Sequence, residues 1–446
     1  MSTMKAILDV LRRLATHRAT PWLIYAAALG MRLVLGFALL EPRAPVTADA
    51  LVYDTLARGI VERGVFEDPP GHPTAHRMPG YPLFLAAIYA MGGTAPVVAR
   101  VIQVFLSATG PVGLFLLARH VFGPLPAIIA ALLAVIDPFL IFYDYQLWAE
   151  SLGIVIVVWS LYLYIVHLAP NPTPARSALG GLLAGLAANL RPDFILLVPT
   201  FGCWAIFGVR PFAKAVKSTV IMGAACVAAI LPWIVRNAIT LGHFVPLTTE
   251  SGFIMWQSNN TDLLADPELW GGYVPFPGHP GWDYQNHPDL DHDPRFAGYK
   301  DEVDLDKKLR AEVFTFWSEH WREMPRFVLG KWVKLLAITP FHAYWPQLFV
   351  WVSRIWYSVM ITSFFVGVAI SVVQRRPIGL LMSFLGWFLF RIALFMSVFR
   401  YRLQIEPLFL LFAGVTMAWL ADKLVPRAAG GAPAGQAPPA SAVTAA

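Results

Sequence analysis

The feature that most constrains this chain is a series of apolar stretches, most of them about as long as a bilayer is thick. They fall at 21–40, 126–143, 152–168, 219–234, 348–373 and 408–420. A helix needs about 20 largely apolar residues to cross roughly 30 Å of hydrocarbon, and inside lipid its backbone polar groups must be satisfied internally. Of the 446 residues, 57% are hydrophobic and only 14% are charged, against roughly a quarter charged in soluble domains. The expected fold class is an all-α polytopic membrane protein, a bundle of about ten transmembrane helices with extracytoplasmic loop helices.

The formal charge of +6 does not indicate a nucleic-acid partner, because the basic residues sit in short clusters between apolar spans. That distribution marks cytoplasmic loops. Lys5, Arg12, Arg13 and Arg18 precede the first span and put the N-terminus in the cytoplasm. Alternation from there places 41–96 outside, Arg119–His120 inside, Asp144 and Glu150 outside, and Arg210, Lys214 and Lys217 inside. Residues 237–346 follow outside, Arg375 and Arg376 inside, Arg400 to Glu406 outside, and the C-terminus inside. The expected location is the inner (plasma) membrane. Four regions result: an N-terminal transmembrane module (1–236) carrying the first outer loop (41–96), an extracytoplasmic segment (237–346), C-terminal transmembrane helices (347–427) and a disordered tail (428–446) rich in Ala, Pro and Gly. Two short apolar pieces, 80–92 and 327–341, read as interfacial or re-entrant helices. Cys203 and Cys226 lie in apolar spans and imply no disulfide framework. The first span lacks a cleavage signature and is read as retained. No internal repeat is visible, which counts against transporters built from inverted halves.

Charge beside or inside a spanning helix costs several kcal/mol at the bilayer centre, so the few places that carry it are candidate sites. The first outer loop holds Asp49 and Tyr53, four apart and on one face if helical, and then His76-Arg77-Met-Pro79-Gly80-Tyr81-Pro82. Asp49 there can accept a proton, hold a divalent cation or simply cap a helix. Glu150 heads the fourth span, where it either complements the helix N-terminus or faces the same cavity as Asp49. Arg191, Arg236, Arg400 and Arg402 stand at outer span ends. Arginine at that depth either snorkels or grips a phosphate headgroup, and Arg400-Tyr401-Arg402 is the preferred grip. Arg32 and Arg391 lie inside spans and need partners, with Asp137 as one counter-charge. In the outer segment Trp256, Asn259 and Asn260 suit sugar or peptide contacts, and the cluster Asp289-Leu-Asp291-His292-Asp293 reads as a solvated loop over a cation site. There is no phosphate-cradling Walker loop, paired CxxC, HExxH or GxSxG.

These pieces together resemble the C-type (GT-C) membrane glycosyltransferases, in particular the bacterial protein-mannosyltransferase and aminoarabinose-transferase group. The carrying residues are Arg32, Asp49-Ala-Leu-Val-Tyr53, Arg77-Met-Pro79-Gly80-Tyr81-Pro82, Trp148-Ala-Glu150, Leu190-Arg191-Pro192, Pro232-Trp233-Ile-Val-Arg236-Asn237, Trp256 with Asn259-Asn260, and Arg400-Tyr401-Arg402 with Pro407. The resemblance implies an inverting transferase that takes a sugar from a polyprenyl-phosphate donor to a lipid, glycan or protein acceptor. It implies Asp49 and Glu150 as catalytic acids, and Tyr53, Arg77, Tyr81, Arg191, Arg236, Asn259, Arg400 and Arg402 as substrate-binding residues. The first loop has one acid before its tyrosine where some members have two, so the metal is left open. A multi-span transporter or flippase, or a polysaccharide polymerase or ligase, shares the spans and the intramembrane charge and stays as an alternative.

Overall fold

A computed structural model describes residues 2–39, 46, 49–273, 300–339 and 347–425. The tail at 428–446 and the acidic cluster at 289–293 lie outside the described residues. Those described are helical apart from turns and one isolated bridge between Glu67 and Pro73. Five helices are long and apolar enough to cross a membrane: Pro96–Phe122, Ala149–Leu168, Phe212–Thr240, Gln347–Val373 and Glu406–Leu424. Two bent pairs raise the number to seven if each is one span. The other three expected spans are Pro174–Leu190, Pro192–Gly208 and Gly379–Leu394, and at 1.5 Å per residue each is only about 25 Å long. Length and composition do not by themselves carry those three across.

One expected span is broken. The run at 126–143 folds as Pro124–Ile136 and Pro138–Asp144, with a 52° bend between them. A residue before proline is pushed out of the helical region, and Asp137 is extended at φ −60°, ψ 115°. Its side chain accepts from the backbone N–H of Phe139 and of Leu140, both at 2.9 Å. Asp137 thus caps the second piece and is not the counter-charge of Arg32 or Arg391. Arg32 instead donates to Asp144 at 2.6 Å, and Asp144 is also held by Ser151. Arg391 pairs with Asp193 at 3.4 Å.

Two close approaches set the bundle around the site. Gly181 and Gly185, one turn apart, let Pro174–Leu190 press on Phe212–Thr240. A Cβ on Gly181 would overlap the Met222 carbonyl, and one on Gly185 would come within 2.6 Å of the Ala229 Cβ. Small residues serve this purpose where lipid supplies no hydrophobic drive between helices. Gly80, opening the helix Gly80–Gly92, sits against the backbone of Asn189, where a Cβ would lie 2.5 Å from the carbonyl oxygen. That contact brings the first outer loop beside Leu190 and Arg191. The outer segment adds Ser251–Ser258, Thr261–Ala265, Glu302–Glu319 and Met324–Leu335. The last covers much of the apolar piece expected to be interfacial, and it packs through Phe327 on Trp270 and Phe316.

Candidate active site

The first-loop helix Asp49–Arg63 begins with Asp49, and Tyr53 lies one turn on along the same face. Glu150 stands in the first turn of Ala149–Leu163. Arg191 occupies the extended break between Pro174–Leu190 and the turn starting at Pro192. Arg400 rides a single helical turn, Phe399–Arg402, ahead of the last span. These elements are far apart in sequence, and their polar ends meet in one cavity of about 740 Å³.

Within the cavity, acids and arginines alternate. Glu250 pairs with Arg77, and Arg77 reaches Asp49 Oδ1 at 3.1 Å. Arg400 takes the other Asp49 oxygen and also lies 3.1 Å from Glu150. Glu150 meets Arg191 at 2.5 Å, Arg191 meets Asp193 at 3.2 Å, and Asp193 ends the row on Arg391 at 3.4 Å. Gln404 donates to the same Asp193 oxygen at 2.6 Å. Neither guanidinium aligns an N–H on Glu150 Oε1, so that contact is electrostatic and not a hydrogen bond. Aromatic faces back the row. Arg77 lies over Tyr53 at 5.9 Å, Arg400 over Trp148 at 4.8 Å, and both Arg191 (5.5 Å) and Arg391 (4.3 Å) over Tyr401. Stacked guanidiniums keep their edges available for an oxyanion.

Burial alone would raise the Asp49 carboxyl pKa. The charges of Arg400 and Arg77 override it and hold that carboxyl well below the usual range. Burial likewise works to lower the pKa values of Arg77 and Arg400. Glu250 and Asp49 outweigh it at Arg77, Asp49 and Glu150 outweigh it at Arg400, and both remain charged.

Two N–H groups in this row have no partner among the described residues: Nε of Arg191 and Nη1 of Arg391. Both side chains line the cavity, and the residues are 9% and 7% exposed. Leaving buried donors unmade costs about 1–3 kcal/mol each, more when charged.

Of the ten residues expected at the site, Asp49, Tyr53, Arg77, Glu150, Arg191 and Arg400 line the cavity. The other four do not, and each has a different duty. Tyr81 is fully buried, donates to Gln103 at 2.6 Å and packs edge-on against Tyr53. Arg236 donates to the carbonyls of Thr74 (2.6 Å) and Phe66 (2.8 Å), fastening the first loop. Asn259 accepts from Lys331 at 2.8 Å and donates to the Leu394 carbonyl at 2.8 Å. Arg402, fully buried, donates to the carbonyls of Leu335 and Ala337 at 3.1 and 2.7 Å. Glu250, Asp193 and Arg391 enter the row unforeseen as site residues, although Arg391 had stood out as a buried charge needing a partner.

Residues 71–235 match the family model described as dolichyl-phosphate-mannose-protein mannosyltransferase. The Archaeoglobus fulgidus oligosaccharyltransferase tethered with an acceptor peptide is similar in fold, with a TM-score of 0.53 and 13% identity over 92% of this chain and 50% of that one. The same enzyme in complex with Zn and sulfate gives 0.52 and 14%, over 90% and 49%. This chain therefore spans about half the length of that transferase. ArnT from Cupriavidus metallidurans bound to undecaprenyl phosphate aligns over 91% of this chain and 79% of its own at 15% identity, with a TM-score of only 0.42. No curated protein matches the sequence. The fold is that of the GT-C membrane glycosyltransferases.

The zinc named for that oligosaccharyltransferase raises the question of a metal here. Among the described residues no group of three or more His, Cys, Asp or Glu side chains is placed to hold one, and both Asp49 oxygens face guanidiniums. This donor set does not fit a divalent cation as it stands.

Proposed function

We propose that this GT-C-fold chain transfers a sugar, hexose or pentose, from a polyprenyl-phosphate donor to an envelope acceptor (lipid, glycan or protein) on the extracytoplasmic face. The protein is multi-pass in the inner membrane with both termini cytoplasmic. Its N-terminal module (1–236) and C-terminal helices (347–427) supply the row of charges apart from Glu250, which comes from the segment 237–346 with lining residues such as Ser251, Phe253 and Gln257. One observation carries the reading: Asp49 and Glu150, from different elements, face one cavity and share Arg400. The match at 71–235 and the shared fold support it.

In this reading the donor's tail stays in the bilayer while its phosphate sits on the unfilled N–H groups of Arg191 and Arg391, with Arg400 alongside. The acceptor hydroxyl gives its proton to Asp49. Its oxygen bonds to the anomeric carbon from the face opposite the phosphate, and the C–O bond to phosphate breaks with its electron pair staying on the phosphate oxygen. Asp49 clamped by two arginines is a weak base. As negative charge grows on the leaving phosphate, Arg400 is drawn towards it and away from Asp49, so the carboxylate gains basicity when a proton must be taken. Glu150 holds Arg400 and Arg191 in register, and Tyr53 with Trp148 walls the sugar. No nucleotide is consumed, because the activated phosphate bond supplies the driving force.

The test is mass spectrometry of envelope glycolipids and glycoproteins from cells with the wild-type protein, without it, and with Asp49→Asn. The expected result is one sugar mass missing without the protein and equally missing with Asp49→Asn at normal protein levels. A transporter or flippase would tolerate Asp49→Asn, and an unchanged product profile in that variant defeats the proposal.

A further inference from the structure

We propose that Lys331 and Asn259 act together as a positioning clamp, by which the outer segment grips the end of the helix Gly379–Leu394 and thereby sets Arg391 and Arg400 in the cavity. The inference rests on the donor-phosphate reading above.

Lys331 is fully buried and has no carboxylate partner among the described residues. Its ammonium donates to Asn259 Oδ1 at 2.8 Å, to the Phe395 carbonyl at 3.3 Å and to the Ala393 carbonyl at 3.4 Å. The Asn259 amide donates to the carbonyl in between, that of Leu394, at 2.8 Å. Asn259 is itself fixed by Met255 at 2.7 Å and by the Trp317 indole at 3.2 Å. Three successive carbonyls at one helix end are therefore held by two side chains, one from the helix Met324–Leu335 and one from the residue that ends Ser251–Ser258.

These carbonyls are among those a helix leaves unpaired at its C-terminus, where the dipole favours a positive charge. An apolar residue would fill the Lys331 position at less cost, since burying an ammonium without a counter-ion costs several kcal/mol. Burial accordingly pulls the Lys331 ammonium down to about 7. The segment so gripped is the cavity wall itself. Arg391 lies one turn before it, Leu394, Phe395 and Met396 line the cavity, and Arg400 follows. A second tie, from the Ser397 N–H to the Gly271 carbonyl at 2.8 Å, fastens the same connection to the segment that holds Asn259 and Lys331.

The experiment uses the full chain in nanodiscs, with undecaprenyl phosphate as probe, comparing wild type, Lys331→Met and Leu335→Ala. The last disturbs packing of the same helix and leaves the clamp in place. Two quantities are read: the Kd for the probe, and hydrogen exchange of the peptide covering 393–401. Lys331→Met is expected to weaken binding about tenfold or more, the size of one displaced charge-assisted contact, and to speed exchange in 393–401 specifically. Leu335→Ala is expected to lower thermal stability with Kd unchanged. Asn259→Ala, which frees Leu394, serves if Lys331→Met does not fold and should give the same local signature. Wild-type affinity in a folded clamp variant, or faster exchange spread evenly over the bundle, overturns the proposal. Failure of the wild type to bind the probe defeats the donor reading instead, and the clamp is then judged on the local exchange alone.

Discussion

Replacing Arg400 with Gln removes the charge that bridges the two central acids, and its consequence can be worked from the geometry. Asp49 is held low against the push of burial by Arg400 first and Arg77 second. Two unit charges about 4 Å apart interact by about 4 kcal/mol at the effective dielectric of a protein surface and by about 1 kcal/mol in water. The Asp49 side chain is 30% exposed, so the true loss lies between these limits. At about 1.4 kcal/mol per tenfold change, Arg400→Gln raises the proton affinity of Asp49 by roughly five- to a thousandfold. In the wild type the carboxyl titrates below the ordinary range, so acidification from pH 8 to pH 4 leaves Asp49 ionised and its part in transfer intact. In Arg400→Gln the plateau rate falls, by roughly a hundredfold if one stabiliser of developing charge is lost. In addition, the acid limb moves up to at most about pH 4, because protonated Asp49 can take no proton. The assay is sugar transfer in isolated membranes, scored by product mass from pH 8 down to pH 3. A wild-type acid limb already centred near pH 4 or above, or a variant whose loss is the same throughout that range, would refute the assignment of Asp49 as the base governed by Arg400.

Other consequences are simpler. Arg391→Gln removes one of the two unfilled donors and should weaken undecaprenyl phosphate binding by about 1.5–3 kcal/mol, roughly 10- to 150-fold in Kd, measured by native mass spectrometry. Arg402→Gln, by contrast, strips the carbonyls of Leu335 and Ala337 of their donor. It should lower Tm while the folded fraction keeps wild-type Kd, and a selective loss of binding would return Arg402 to the site. Asp144→Asn leaves Arg32 buried without its counter-charge and should cost about 3–5 kcal/mol, seen as a loss of Tm. Gly181→Val puts methyl groups where the Met222 carbonyl already sits and should destabilise the bundle by at least about 1–3 kcal/mol, again seen in Tm.

Five long spans were readable because length and hydropathy alone decide them, and Asp49 and Glu150 stood out because charge beside a spanning helix is costly. The bend at Asp137 was also written in the chain, as an aspartate before a proline, but the apolar run continues across it and hides the break. Arg236, Asn259 and Arg402 illustrate the limit of that reasoning. A polar side chain at the outer end of a span looks the same in sequence whether it faces a cavity or holds backbone carbonyls, and only the packing of distant elements separates the two. Glu250 and Asp193 were missed for the related reason that each matters through an arginine far away along the chain: Arg77 for the first, Arg391 for the second.

The account turns on where a lipid phosphate binds. A cryo-EM map of the full chain in nanodiscs with saturating undecaprenyl phosphate addresses that directly. The expected density is a phosphate between the Arg191 and Arg391 guanidiniums, in the same cavity as Asp49, with the tail running into the bilayer. A phosphate seated elsewhere, or an empty cavity at saturation, would contradict it.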